Sequence, residues 1–136
     1  MEMKLELVPI PVTDVDRAKT FYVERLGFVE DVDVQPAAGV RVVQLTPAGS
    51  ACSIGMGTGL PAYDEMASGT IKGLHLVVAD IEQARAELVS RDVEVGAVKD
   101  VGAESSTHGW PTGRQRSDAA GDGLAHRRQA FKTGWR

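Results

Sequence analysis

Cysteine is almost missing from this chain of 136 residues. The single thiol, Cys52, excludes an internal disulfide and any metal site built from several cysteines. Long hydrophobic runs are missing too. Leu74–Ala79 is among the longest, and Asp80 ends it far short of a membrane span. Basic charge is not in excess: 15 Lys and Arg stand against 19 Asp and Glu, a net charge of −4, which argues against a nucleic-acid partner for the whole chain. The first residues carry Glu2 and Glu6 and no basic-then-apolar leader, so the expected location is cytoplasmic. What is present is ordinary for a single globular domain: 43% apolar and 25% charged residues, in a chain long enough to bury a core without staples.

One further scarcity is local. Residues 1–101 contain 17 Val and 4 Ile, whereas residues 102–136 contain neither. The charge also changes sign, from 9 basic and 16 acidic residues in the first part to 6 basic and 3 acidic in the second. Strands are built best from β-branched residues that fit a pleated, half-buried surface. The tail, rich in Gly, Arg, Ser and Ala, is therefore expected to form loop or short helix, with Gly123–Lys132 the best helical candidate.

The first 101 residues alternate between strand and helix signals. Met3–Val12 reads as a strand whose Pro9 and Pro11 confine it to a sheet edge. Asp14 caps a helix from Val15 to Arg25, with Val15, Ala18, Phe21, Tyr22 and Leu26 at helical spacing and Gly27 as its stop. Phe28–Val34, Gly39–Thr46 and Ala51–Met56 read as strands separated by turn segments at 35–39 and 47–50. The glycine-rich stretch from Gly55 reads as a loop to about Ser68. Ile71–Ala79 is the next expected strand. Asp80 caps a second helix with Gln83 as its capping-box partner and Ile81, Ala84, Leu88 and Val89 as its buried stripe, and Val93–Val98 is a last strand.

These elements repeat at an offset of 66 residues. Val12-Thr13-Asp14-Val15 matches Val78-Ala79-Asp80-Ile81, Ala18 matches Ala84, Tyr22 matches Leu88, Val23 matches Val89 and Arg25 matches Arg91. Cap, helix face and helix end agree together.

A βαβββ unit used twice resembles the vicinal-oxygen-chelate superfamily, which includes glyoxalase I, bleomycin-resistance proteins and extradiol dioxygenases. The residues that carry the resemblance are Pro11-Val12-Thr13-Asp14-Val15-Asp16-Arg17-Ala18-Lys19-Thr20-Phe21-Tyr22, then Leu26-Gly27-Phe28, and Gly73-Leu74-His75-Leu76-Val77-Val78-Ala79-Asp80-Ile81-Glu82. The resemblance implies an α+β fold of two βαβββ-type units, about 3–57 and 70–101, each forming a curved half-barrel sheet. The second unit is incomplete, and residues 102–136 are an atypical tail of the same domain. It also implies a homodimer that encloses a cavity for a small ligand.

Metal-binding members place a His at the start of the first strand of each unit and a carboxylate on the last. The corresponding first-strand positions here are Leu7 and Gly73, and Ala51–Met56 contains Cys52 and Ser53 but no acid. A transition-metal centre needs several converging His or carboxylate ligands. The expectation is therefore a protein without a metal cofactor that handles a small organic ligand in an apolar cavity lined by Leu7, Gln44, Ser53 and His75. His75 lies two residues after Gly73 on the same strand face, which makes it the candidate catalytic acid or base. The alternatives are a divalent-metal lyase, isomerase or dioxygenase with His75 as one ligand, and an inactive truncated member.

The family usually ends on Gly-Asn-x-Trp-x-Leu/Ile-x-Glu. Gly123-Leu124-Ala125-His126-Arg127-Arg128, under a permitted codon choice and a one-base shift, reads Gly-Trp-Leu-Ile-Ala followed by an acid. This suggests an out-of-frame version of the usual ending.

Overall fold

A computed structural model describes residues 1–99. The expectations for the tail, including Gly123–Lys132, lie outside these residues. Four strands form one mixed sheet in the order β1-β4-β3-β2: β1 (Leu7–Pro9), β2 (Val29–Ala37), β3 (Val40–Thr46) and β4 (Ser53–Thr58). β1 runs parallel to β4, and the other two pairings are antiparallel. Helix α1 (Val15–Thr20), extended by a π-helical turn over Phe21–Arg25, connects β1 to β2. The short α2 (Pro61–Asp64) follows β4, and α3 (Ile81–Ser90) comes last. The chain is α+β, as its sequence leads one to expect.

The core lies between the sheet and α1. Val43 and Leu45 on β3 face Met56 and Ile54 on β4 in register, and Val15, Ala18 and Tyr22 of the helix pack over them with Phe28 and Ile10. Val43, Leu45 and Met56 are fully buried. Each such side chain contributes about 1.5–3 kcal/mol from removal of apolar surface from water. Tyr22 sits between two rings, with centroids 5.5 Å from Phe21 and 5.3 Å from Phe28.

Several elements differ from their sequence-based expectations. β1 is shorter than Met3–Val12. Ladder-type hydrogen bonds span only Glu6 to Ile10, from Ser53 N to the Glu6 carbonyl at 2.8 Å and from Ile10 N to the Gly55 carbonyl at 2.7 Å. The prolines on either side of Ile10 lack donors to continue it. β2 runs on through Gln35 and Pro36, where a turn was predicted. Irregularities between Glu30 and Val32 and between Val34 and Ala37 absorb the proline in a strand that lies at the sheet edge among the described residues. The turn shrinks to Ala38-Gly39, with Gly39 at φ +77°.

β4 extends through the glycine run to Thr58 instead of ending at Met56. Gly55 and Gly57 pair with Gln44 and Val42, so the glycines serve close approach and not a loop. Among the described residues, Ile71–Ala79 and Val93–Val98 form no ladder. Ile71, Leu74 and Leu76 nevertheless pack against the core, and Val93 is buried. The stripe on α3 is only half-buried at Ile81, Ala84 and Leu88, and Val89 is exposed. Among the described residues no second sheet covers it.

Candidate functional site

Side chains alternate across a strand, so the residues between the core positions of β3 and β4 share the opposite, open face of the sheet. Gln44 and Thr46 on β3 lie there with Ser53, Gly55 and Gly57 on β4. Three of these are joined. The Gln44 side-chain amide donates to Ser53 Oγ at 3.2 Å, and Ser53 Oγ lies 2.6 Å from Thr46 Oγ1. Thr46 Oγ1 in turn donates to the Asp31 carboxylate.

The chemistry of the row sets its direction. A carboxylate is acceptor-only, so the Thr46 proton points to Asp31. The Ser53 proton must then point to Thr46, and Gln44 supplies the donor to Ser53. Both hydroxyl protons are committed along the sheet. Ser53 is thereby a fixed polar wall, and among the described residues it has no histidine beside it to make it a nucleophile.

The open face is covered at one end. Leu7 lies opposite Ser53 in the β1–β4 register, and its methyl groups would stand 3.3 Å from a Cβ at Gly55. Tyr63, on α2, lays its ring along the same strand. A Cβ at Gly57 would meet its ring edge at 3.0 Å, and one at Gly55 would meet its hydroxyl oxygen at 3.0 Å. Only glycine allows this ring to lie so close to β4. Burial pushes the Tyr63 phenol above its ordinary value.

Three of the four predicted lining residues, Leu7, Gln44 and Ser53, thus fall together. His75 does not join them. It is exposed, between half-buried Leu74 and Leu76, and no hydrogen bond or ion pair links it to the other three among the described residues. Thr46, Asp31 and Tyr63 complete the site and were not singled out from the sequence. Thr46 was within reach of the argument, since it lies two residues after Gln44 on one strand. Asp31 was not, because the irregularity between Glu30 and Val32 turns its side chain to that face.

The other side of the sheet carries a separate ionic cluster. Arg41 grips Asp33 through two bonds, Nε at 3.0 Å and Nη2 at 2.9 Å, and reaches Asp16 on α1 at 2.7 Å. Lys19 on α1 meets Asp33 and Glu30, each at 2.7 Å. The Arg41 and Lys19 hydrogen bonds hold the Asp33 carboxyl far below the usual carboxylate range, while Asp33 and Asp16 raise Arg41. The cluster clamps α1 to β2 and β3. An open depression of about 430 Å³ along α1, lined by Asp16, Arg17, Thr20, Phe21 and Arg25, shares no residue with the open-face row.

The divalent metal of the resembling family does not fit the described residues. Leu7 and Gly73 offer no ligand, β4 contains no acid, and no group of three His, Cys, Asp or Glu side chains converges among the described residues.

Comparison with solved structures returns the same architecture. The structure of TnmS3, an antibiotic binding protein from Streptomyces sp. CB03234, is 32% identical, with a TM-score of 0.63 over 74% of this chain and 80% of that one. A glyoxalase/bleomycin resistance protein from the same organism is also 32% identical, with a TM-score of 0.60 over 73% and 83%. A third structure, a superfamily member from Sphaerobacter thermophilus DSM 20745, is 30% identical, with a TM-score of 0.58 over 71% and 77%. Comparison with curated proteins finds no match. The family model for the Glyoxalase/Bleomycin resistance protein/Dioxygenase superfamily matches residues 4–109, and the chain belongs to that superfamily.

Proposed function

We propose that this protein binds a small organic molecule of the antibiotic class on the open face of its sheet, without a metal ion and without turning it over. The observation that carries the reading is the row Gln44–Ser53–Thr46–Asp31 beside Leu7 and Tyr63. It is a row of fixed polar groups flanked by an aliphatic and an aromatic side chain, the two kinds of contact that a small-molecule site combines. The donor set argues for binding over metal-assisted chemistry, since the positions that hold ligands in metal-binding relatives are Leu7 and Gly73. The antibiotic-binding relative at 32% identity supplies the ligand class.

The reading includes a homodimer that closes the open face. Its support is the exposed apolar alternation Met1, Met3, Leu5, Leu7 leading into the edge strand β1. The cytoplasm remains the proposed location, and no described helix is long and apolar enough to cross a membrane.

The test is thermal unfolding against a panel of aromatic natural-product antibiotics. A true ligand raises the midpoint with the logarithm of its concentration relative to Kd. Gln44→Ala with Ser53→Ala should abolish the rise and leave the unliganded midpoint within a few degrees. A rise that persists undiminished in the double variant places binding elsewhere and overturns the reading.

A further inference from the structure

The Tyr63 side chain is buried, with the residue only 9% exposed, and among the described residues its hydroxyl has no protein partner. Buried polar groups in native structures are almost always satisfied, so an unsatisfied one calls for a reason. Its position supplies one. The oxygen lies over Gly55, and Gly55 pairs with Gln44, so the hydroxyl stands at the Gln44 end of the polar row.

The row itself cannot satisfy an incoming acceptor with a hydroxyl. The Ser53 and Thr46 protons are already committed toward Asp31. Beside the second N–H of the Gln44 amide, the Tyr63 hydroxyl is the donor left over among the described residues of the site, with its ring edge over Gly57 and its oxygen over Gly55. A glycine floor under a tyrosine ring fixes the height of the ring above the strand. Pro61 at the start of α2 fixes where that turn begins.

We infer that Tyr63 is a specificity-determining residue of the open-face site, whose hydroxyl, over Gly55 and without a partner among the described residues, donates to a neutral acceptor oxygen, a carbonyl or ether, on an apolar or aromatic ligand. This rests on the binding role proposed above and names the feature of the ligand that the site selects. A ligand without such an oxygen leaves the phenol buried and unpaired, which is how a site built to hydrogen-bond rejects an analogue lacking the partner.

Two measurements test it. The first needs no ligand. Tyr63→Phe removes only the oxygen, so an unpartnered hydroxyl predicts a thermal midpoint that is unchanged or higher. A clear fall shows that the hydroxyl is already bonded within the chain and overturns the inference. The second follows the amide shifts of Gln44, Ser53 and Gly55 in isotope-labelled protein titrated with acetophenone or with ethylbenzene, matched probes with and without a carbonyl. The wild type should prefer acetophenone by about threefold to tenfold, and Tyr63→Phe should bring the two to near equality. Shifts at these amides with a preference unchanged by the substitution overturn the donor role and leave the binding site standing. No shift at these amides with either probe overturns the open-face site itself, and this inference with it.

Discussion

At the scale of single residues, two positions carry more than their share of the fold. Asp33 binds both Arg41 and Lys19, with its side chain 18% exposed. Charge-assisted hydrogen bonds of this kind contribute more than neutral ones. Asp33→Asn should lower unfolding free energy at neutral pH by about 1–3 kcal/mol, measured by urea denaturation. The pH dependence has a definite sign. The folded-state pKa of Asp33 is depressed below its ordinary value of 3.8, so its contribution is complete above that value and is lost as pH falls below it. The difference between wild type and Asp33→Asn should therefore be flat from neutrality to about pH 5 and shrink in more acidic buffer. A difference that grows on acidification contradicts the assignment. Gly57 is the second position. A Cβ there would lie 2.0 Å from the Arg41 carbonyl oxygen, whereas one at Gly96 meets nothing within 4 Å. Gly57→Ala should destabilise by on the order of 3 kcal/mol and Gly96→Ala should be near neutral, in the same denaturation assay.

At the scale of elements, the repeat is written into bonds. Asp14 accepts from Arg17 N and Asp80 from Gln83 N, each at 3.0 Å, and the two caps share extended backbone angles. The helix ends are joined to each other by residues that the repeat equates. Arg25 donates to the Asp92 carbonyl at 2.7 Å, and Arg91 donates back to the Arg25 carbonyl at 3.4 Å. Arginines at helix C-termini also suit the dipole. This reciprocal clasp ties α3 to the first unit. Arg25→Ala and Arg91→Ala should each speed amide exchange in α3, and the double variant should show less than the sum of the two effects, as for coupled neighbours. Additive effects would mean the two bonds act independently. Both capped helices were legible because caps and helical spacing are local signals. The paired strands of the first unit were legible in number and order but not in their ends. Pro36 and the glycines of β4 read as breakers, yet an edge irregularity accommodates the first and close ring contact requires the second. The site was partly legible for the same reason. Gln44 and Ser53 lie on strands whose faces alternate predictably. Tyr63 depends on a one-turn helix that no pattern announces, and Asp31 on a slip in register.

At the scale of the whole molecule, the sheet formed by the described residues is open, and its β1 edge is unguarded among them. Among the described residues β1 has a single neighbour, β4, and the chain before it presents Met1, Met3 and Leu5 to solvent at 107%, 80% and 68% exposure. The intervening Glu2, Lys4 and Glu6 give strict alternation, the pattern of a strand with one apolar side. An edge of this kind invites pairing with another chain, and a charge on it is the usual safeguard. Here the charges all fall on the side that alternates away from Leu5 and Leu7, so they do not protect the apolar side. Leu7 already reaches the open face beside Gly55, which makes this surface continuous with the proposed binding site. If a second copy covers it, association and ligand binding share residues. The expected result is a dimer by sedimentation equilibrium at micromolar concentration. Leu5→Lys, which places a charge on the apolar side and touches no core residue, should shift the protein to monomer while its far-UV circular dichroism stays the same. The same variant should weaken binding of any ligand that stabilises the wild type. A wild type that sediments as a monomer at all accessible concentrations would show that residues 1–7 face water, and that the open face is completed without a partner chain.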